Sequence, residues 1–161
     1  MKSFLKYTLI PFSLFLGLLI YLGYRSTSTP FYHWAGELGF REEVDALRNL
    51  LLNTNPPTWF INSMPDGLWM FSFVLFTLAI WNFKINKESK IWIYGSIVIG
   101  LGYEVMQSFV SGYGVFDWVD FWLMMLSAFL SIVTFSNTKT NLVNGTNITK
   151  IKNHQNEIIF Y

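Results

Sequence analysis

Residues 91–121 read IWIYGSIVIGLGYEVMQSFVSGYGVFDWVDF, and this stretch decides the fold. An apolar run carries Glu104 and Gln107 near its end. A glycine-rich turn follows, and Asp117 and Asp120 then open a second apolar run. Glu104 and Gln107 are three residues apart, so a helix presents them on one face, and Asp117 and Asp120 repeat the spacing. Inserting an unpaired carboxylate into lipid costs about 2.5–3.5 kcal/mol, so an acid in such a run points to a functional site.

The flanking sequence has the same character. The 161 residues are 52% hydrophobic and only 13% charged, too apolar and charge-poor for an ordinary soluble domain. The apolar residues gather into runs near the ~20 residues that a helical bilayer crossing needs. Net charge is +1, which gives a nucleic-acid partner no electrostatic support. There is no cysteine, so disulfides and thiol chemistry are excluded. His33 and His154 stand far apart without spaced ligand partners, so neither a histidine metal site nor any cofactor is expected.

Upstream, Met1 to Tyr24 pairs Lys2 and Lys6 with a long apolar run. A signal peptide starts the same way, but this run exceeds the usual ~7–15 residues and lacks an alanine-x-alanine cleavage site, so a retained span is expected. Between Arg25 and Pro65 lies a polar loop. Within it, Glu37 to Leu52 carries Phe40, Val44, Leu47 and Leu51 at helical spacing. That predicts an amphipathic helix, lying on the membrane surface, capping the bundle or simply connecting spans. Asn55-Pro56-Pro57 ends it. Gly67 to Phe83 is the expected second span, with Trp69 and Trp81 as interfacial anchors. Ile91 to Phe109 is the third, and Trp118 to Phe135 the fourth.

The expected fold is therefore an all-α integral membrane bundle of four transmembrane helices, with an extracytoplasmic amphipathic helix in the first loop. Residues 1–136 form the domain. Residues 137–161 form a polar cytoplasmic tail containing short glycosylation-sequon matches at Asn144 and Asn147. Of eleven basic residues, eight (Lys2, Lys6, Lys84, Lys87, Lys90, Lys139, Lys150, Lys152) fall in alternate segments, against Arg25, Arg41 and Arg48 in the others. The positive-inside rule then places both termini in the cytoplasm of a multi-pass cell-membrane protein.

That topology gathers Asp66, Trp69, Glu104, Gln107, Asp117 and Asp120 at the outer rim. Phe109, Tyr113 and Trp118 are further expected walls. Met124, Ser127 and Ser131 continue the face of Asp117 and Asp120, while Ser96, Gly100, Glu104 and Ser108 make a small or polar stripe for close helix approach. Asp66 and Asp117 also suit helix N-caps, and Gln107 an interhelical bond. With no basic residue in reach inside the spans, Glu104 is expected to be protonated, hydrated, or sharing a proton with an aspartate.

Glu104-x-x-Gln107, a short glycine turn and Asp117-x-x-Asp120 resemble the VanZ-like membrane proteins over about residues 66–133. Asp66 matches the aspartate that opens that family's second span, but Trp69 stands where its histidine is expected. The turn lacks the family's arginine, and Met124 replaces an asparagine. The resemblance implies a small bacterial multi-pass protein, whose namesake is linked to resistance to the glycopeptide teicoplanin.

Three functions compete. A non-catalytic outward pocket would bind an envelope lipid, a cell-wall ligand or precursor, a glycopeptide-related partner or another membrane protein. An enzyme would use paired carboxylates for acid–base work on a lipid head group, though no nucleophile motif or phosphate-binding loop is visible. A small proton-coupled transporter is the third, with a homo-oligomer supplying the missing half. Several carboxylates on one face also suit Mg²⁺ or Ca²⁺, without any fixed ligand geometry.

Overall fold

The computed structural model describes residues 2–109 and 116–136, which form helices without strands. In chain order they are α1 (Lys2–Tyr24), α2 (Pro30–Glu37), α3 (Arg41–Leu51), α4 (Thr58–Asn62), α5 (Met64–Ile80), α6 (Lys87–Gln107) and α7 (Trp118–Phe135). The Gly112–Gly114 turn, Tyr113 and the tail after Ser136 lie outside the described residues.

Helix α5 is the centre of the bundle, packed between α1 and α7 with α6 beside it. Its Met70, Val74, Leu75 and Leu78 are buried with Met124 and Ala128 of α7, Ile93 of α6 and Phe83. Two glycines permit the close approach. A Cβ on Gly17 of α1 would lie 2.6 Å from Trp69 Nε1, and one on Gly67 would meet the Leu123 side chain. Side-chain bonds to backbone carbonyls tie the helices together. Ser72 Oγ donates to Ile10 O at 2.8 Å, Trp69 Nε1 to Leu14 O at 3.3 Å, and Ser131 Oγ to Phe71 O at 3.1 Å.

The long helices alternate in direction. At one end Lys6 Nζ donates to the carbonyl of Phe135 at 3.0 Å and lies over the Phe83 ring, joining the start of α1 to the end of α7 and the turn after α5. At the other end meet the last turns of α1 and α6 and the first turns of α5 and α7.

Two helices are long and apolar enough to cross a membrane, Phe4–Tyr24 and Trp118–Phe135. Helix α5 is apolar but has 17 residues, and α6 has 21. The fourth expected span coincides with α7. The others shift for identifiable reasons. Helix α5 starts at Met64, before the expected Gly67, because Pro65 fits its first turn. It stops at Ile80 rather than Phe83 because Asn82 and Phe83 take positive φ, 51° and 61°. Helix α6 starts at Lys87, four residues before Ile91, on a capping box. Asn86 Oδ1 accepts from Ser89 N at 2.7 Å, and Ser89 Oγ accepts from Asn86 N at 2.8 Å.

The single amphipathic helix expected over Glu37–Leu52 is two helices. Gly39 sits at φ +86° between α2 and α3, a conformation that favours glycine and ends α2. Phe40, expected on the apolar face, is 56% exposed ahead of α3. Helix α3 packs its Leu47 and Leu51 on the end of α1, where Gly23 makes room. Arg48 Nη1 donates to the Leu22 and Arg25 carbonyls at 2.7 Å each. A cation thus satisfies carbonyls left orphaned at a helix C-terminus. Tyr32 of α2 donates to Asp45 Oδ1 of α3 at 2.7 Å, and that bond raises the phenol's pKa above its ordinary value.

Candidate functional site

The end where α1, α5, α6 and α7 converge encloses a cavity of about 640 Å³. Asp66, Trp69, Glu104, Gln107, Asp117 and Asp120 all line it, so the six residues expected at one site do share one wall system. Their roles differ.

Asp117 caps α7: its Oδ1 accepts from Val119 N at 2.8 Å. Asp66 does not cap α5. It lies in the first turn, after Ser63 at the N-cap position. Glu104, in the last turn of α6, is 5% exposed, and both its oxygens are engaged. Oε1 accepts from Asp117 N at 2.9 Å, and Oε2 accepts from Gln107 Nε2 at 3.0 Å. Gln107 therefore bonds within its own helix. Glu104 latches the end of α6 to the start of α7.

Asp120 is different. It is 8% exposed, and its Oδ1 is buried without a hydrogen-bond partner in the protein. A buried acceptor left unsatisfied costs about 1–3 kcal/mol, so such a group calls for a reason. Asp120 and Met124 come from the same face of α7, as their spacing implies, and both reach the cavity. Ser131, farther along that face, bonds instead to α5.

The expectation that no basic residue stands near is corrected by Arg25. This residue follows the last turn of α1, lines the cavity and pairs with Asp66 at 3.7 Å. Its Nη2 also donates to Asn62 O, its guanidinium lies over Tyr21, and its Nε is buried without a partner. Arg48 positions it by holding the Arg25 carbonyl.

The aromatic wall also differs from expectation. Phe109 and Trp118 are 82% and 64% exposed and do not line the cavity, because both fall on outward faces beside the masked turn. Tyr21, Phe31, Tyr103 and Phe116 do. Trp69 packs with Tyr21 at 5.5 Å and Phe31 at 5.6 Å, which draws it into the helix interface rather than leaving it a free anchor. Phe31 belongs to α2, so the first loop supplies part of the wall. Sequence reading missed Arg25 and Phe31 because both lie outside the apolar runs. The signal for Arg25 was its place directly after a span that ends on the same side as Asp66.

Chemically, the cavity offers an unsatisfied acceptor on Asp120, an unsatisfied donor on Arg25 and an excess of carboxylates. Among the described residues no cluster of histidine and acidic side chains is arranged to hold a metal ion. No family model matches the chain, and no curated protein or solved structure matches it either.

Proposed function

We propose that this chain is a four-crossing membrane protein of the bacterial envelope, of the VanZ-like type, whose outward-facing carboxylate cavity binds an envelope or cell-wall ligand without chemically converting it. The observation that carries this reading is Asp120 Oδ1, buried at the wall of a roughly 640 Å³ cavity with no protein partner.

Membrane insertion is supported by where the apolar surface lies. The apolar windows of α1 and α7 are only 17% and 22% buried within the protein, and Ile91, Val98 and Ile99 of α6 are 72%, 68% and 75% exposed. So much outward apolar area suits a lipid solvent. The distribution of lysines supports the orientation. Lys6, Lys84, Lys87 and Lys90 lie at the end opposite the cavity, which the positive-inside rule assigns to the cytoplasm. Binding is favoured over acid–base catalysis because Glu104, the acid deepest in α6, already has both oxygens engaged.

The test replaces Asp120 with Asn and with Ala at matched expression, and measures glycopeptide susceptibility and glycopeptide binding to membranes. The reading expects both variants to depart from the parent, with Ala the larger change. Parental behaviour in both would end it.

A further inference from the structure

The cavity is not closed on its lipid side. Asp66, Trp69, Gly100, Tyr103 and Met124 also line an apolar groove of about 330 Å³ between α5 and α6. That groove shares Phe73, Ser96 and Ile99 with a second one of about 580 Å³, which reaches Trp81 and Ile91 near the far end of both helices. One polar chamber and one apolar channel are therefore continuous along the seam.

The seam is open because of its residues. A Cβ on Gly95 would meet nothing within 4 Å, and Ser96 is small. From Asp66 to Trp81 a helix rises about 22 Å. One leaflet of the hydrocarbon core is about 15 Å deep, half of the usual ~30 Å. The channel is long enough for one acyl chain.

The chamber's unsatisfied atoms define the head group. Arg25 Nε needs an acceptor and Asp120 Oδ1 needs a donor. A phosphodiester meets the first and a primary ammonium the second, as charge-assisted hydrogen bonds. The surrounding carboxylates of Asp66, Glu104 and Asp117 add attraction for the cation and disfavour a purely anionic head group. A quaternary ammonium has no N–H to give Asp120.

We infer that the cavity and groove hold one phospholipid of the surrounding bilayer, its amine-bearing zwitterionic head group between Arg25 and Asp120 and one acyl chain between α5 and α6. This deepens the pocket reading above and rests on it.

The test uses the purified, delipidated full chain in detergent. Phosphatidylethanolamine, phosphatidylcholine and phosphatidylglycerol with identical chains are titrated separately, and bound lipid is counted by native mass spectrometry. The expected result is one tightly held phosphatidylethanolamine, preferred over either other lipid. Asp120→Asn should weaken it about 10-fold or more, the effect of losing one charge-assisted hydrogen bond. Gly95→Trp, remote from the charged groups, should fill the channel and weaken binding while thermal unfolding stays near parental. Equal binding of the three lipids, or an Asp120→Asn variant that keeps the preference, would overturn the inference. So would a Gly95→Trp variant that changes oligomeric mass and not lipid binding, because a second copy would then be the occupant. If the lipid preference is absent while Asp120 variants still alter glycopeptide behaviour, this inference falls and the pocket reading survives. If both effects are absent, both fall.

Discussion

Glu104 Oε1 accepts the backbone N–H of Asp117 at 2.9 Å, joining the last turn of α6 to the residue that caps α7. The same side chain accepts from Gln107 through its other oxygen. The acid that stands out most in the sequence is thus placed to hold the site together, and Asp120 is the one left free to meet a ligand.

Glu104→Ala should lower stability more than Glu104→Gln. Alanine strands the Asp117 amide and the Gln107 side chain, at a cost of about 1–3 kcal/mol. Glutamine keeps an acceptor for Asp117 and should lose less. Thermal unfolding of the purified chain in detergent reads both. An alanine variant as stable as the parent would show that the latch contributes nothing.

Arg25 and Asp66 should be energetically coupled. The ion pair spans 3.7 Å, and each side chain is about 30% exposed, so solvent screens it in part. Arg25→Ala leaves Asp66 beside Asp120 and Glu104 without its counter-charge, whereas Asp66→Asn leaves Arg25 with the Asn62 carbonyl. Arg25→Ala should therefore be the more damaging single change. The double variant should recover part of the loss, with a coupling of about 0.5–3 kcal/mol. Strict additivity would contradict the pairing.

Two glycines should respond oppositely. Gly67 is buried where α5 meets Leu123 and Ser127 of α7, so Gly67→Leu forces the helices apart and should cost about 1–3 kcal/mol. Gly102 in α6 has nothing near a prospective Cβ. There alanine relieves a helix-interior glycine, and Gly102→Ala should stabilise by about 0.4–1 kcal/mol. Unfolding midpoints moving in the same direction would refute the close approach assigned to Gly67.

The limits of sequence reading follow from the range of each interaction. Helix α7 was legible to the residue because Asp117 caps it locally and its apolar run is unbroken. The convergence of the six site residues followed from alternating helix direction, which the spacing of apolar runs implies. The division of labour among them did not, because Glu104 meets Asp117 across a turn of thirteen residues and no local pattern encodes that bond. Arg25 was missed for the same reason. Its carbonyl is held by Arg48 of α3, a tertiary contact from the loop. The break between α2 and α3 had a visible cause in Gly39, but helical periodicity continues across it and outweighed the glycine.

The orientation makes a separate claim that single cysteines can read, since the chain has none of its own. Ser28 lies exposed between α1 and α2 at the cavity end, and Lys87 lies exposed at the start of α6 at the opposite end. In intact cells a membrane-impermeant maleimide should label Ser28→Cys and leave Lys87→Cys unmodified until the membrane is opened. Labelling of Lys87→Cys alone would invert the protein and turn the cavity toward the cytoplasm. Labelling of both in intact cells would mean that α5 does not cross. In that case the 17-residue α5, at about 1.5 Å per residue, would fall short of the hydrocarbon core by more than the bilayer accommodates.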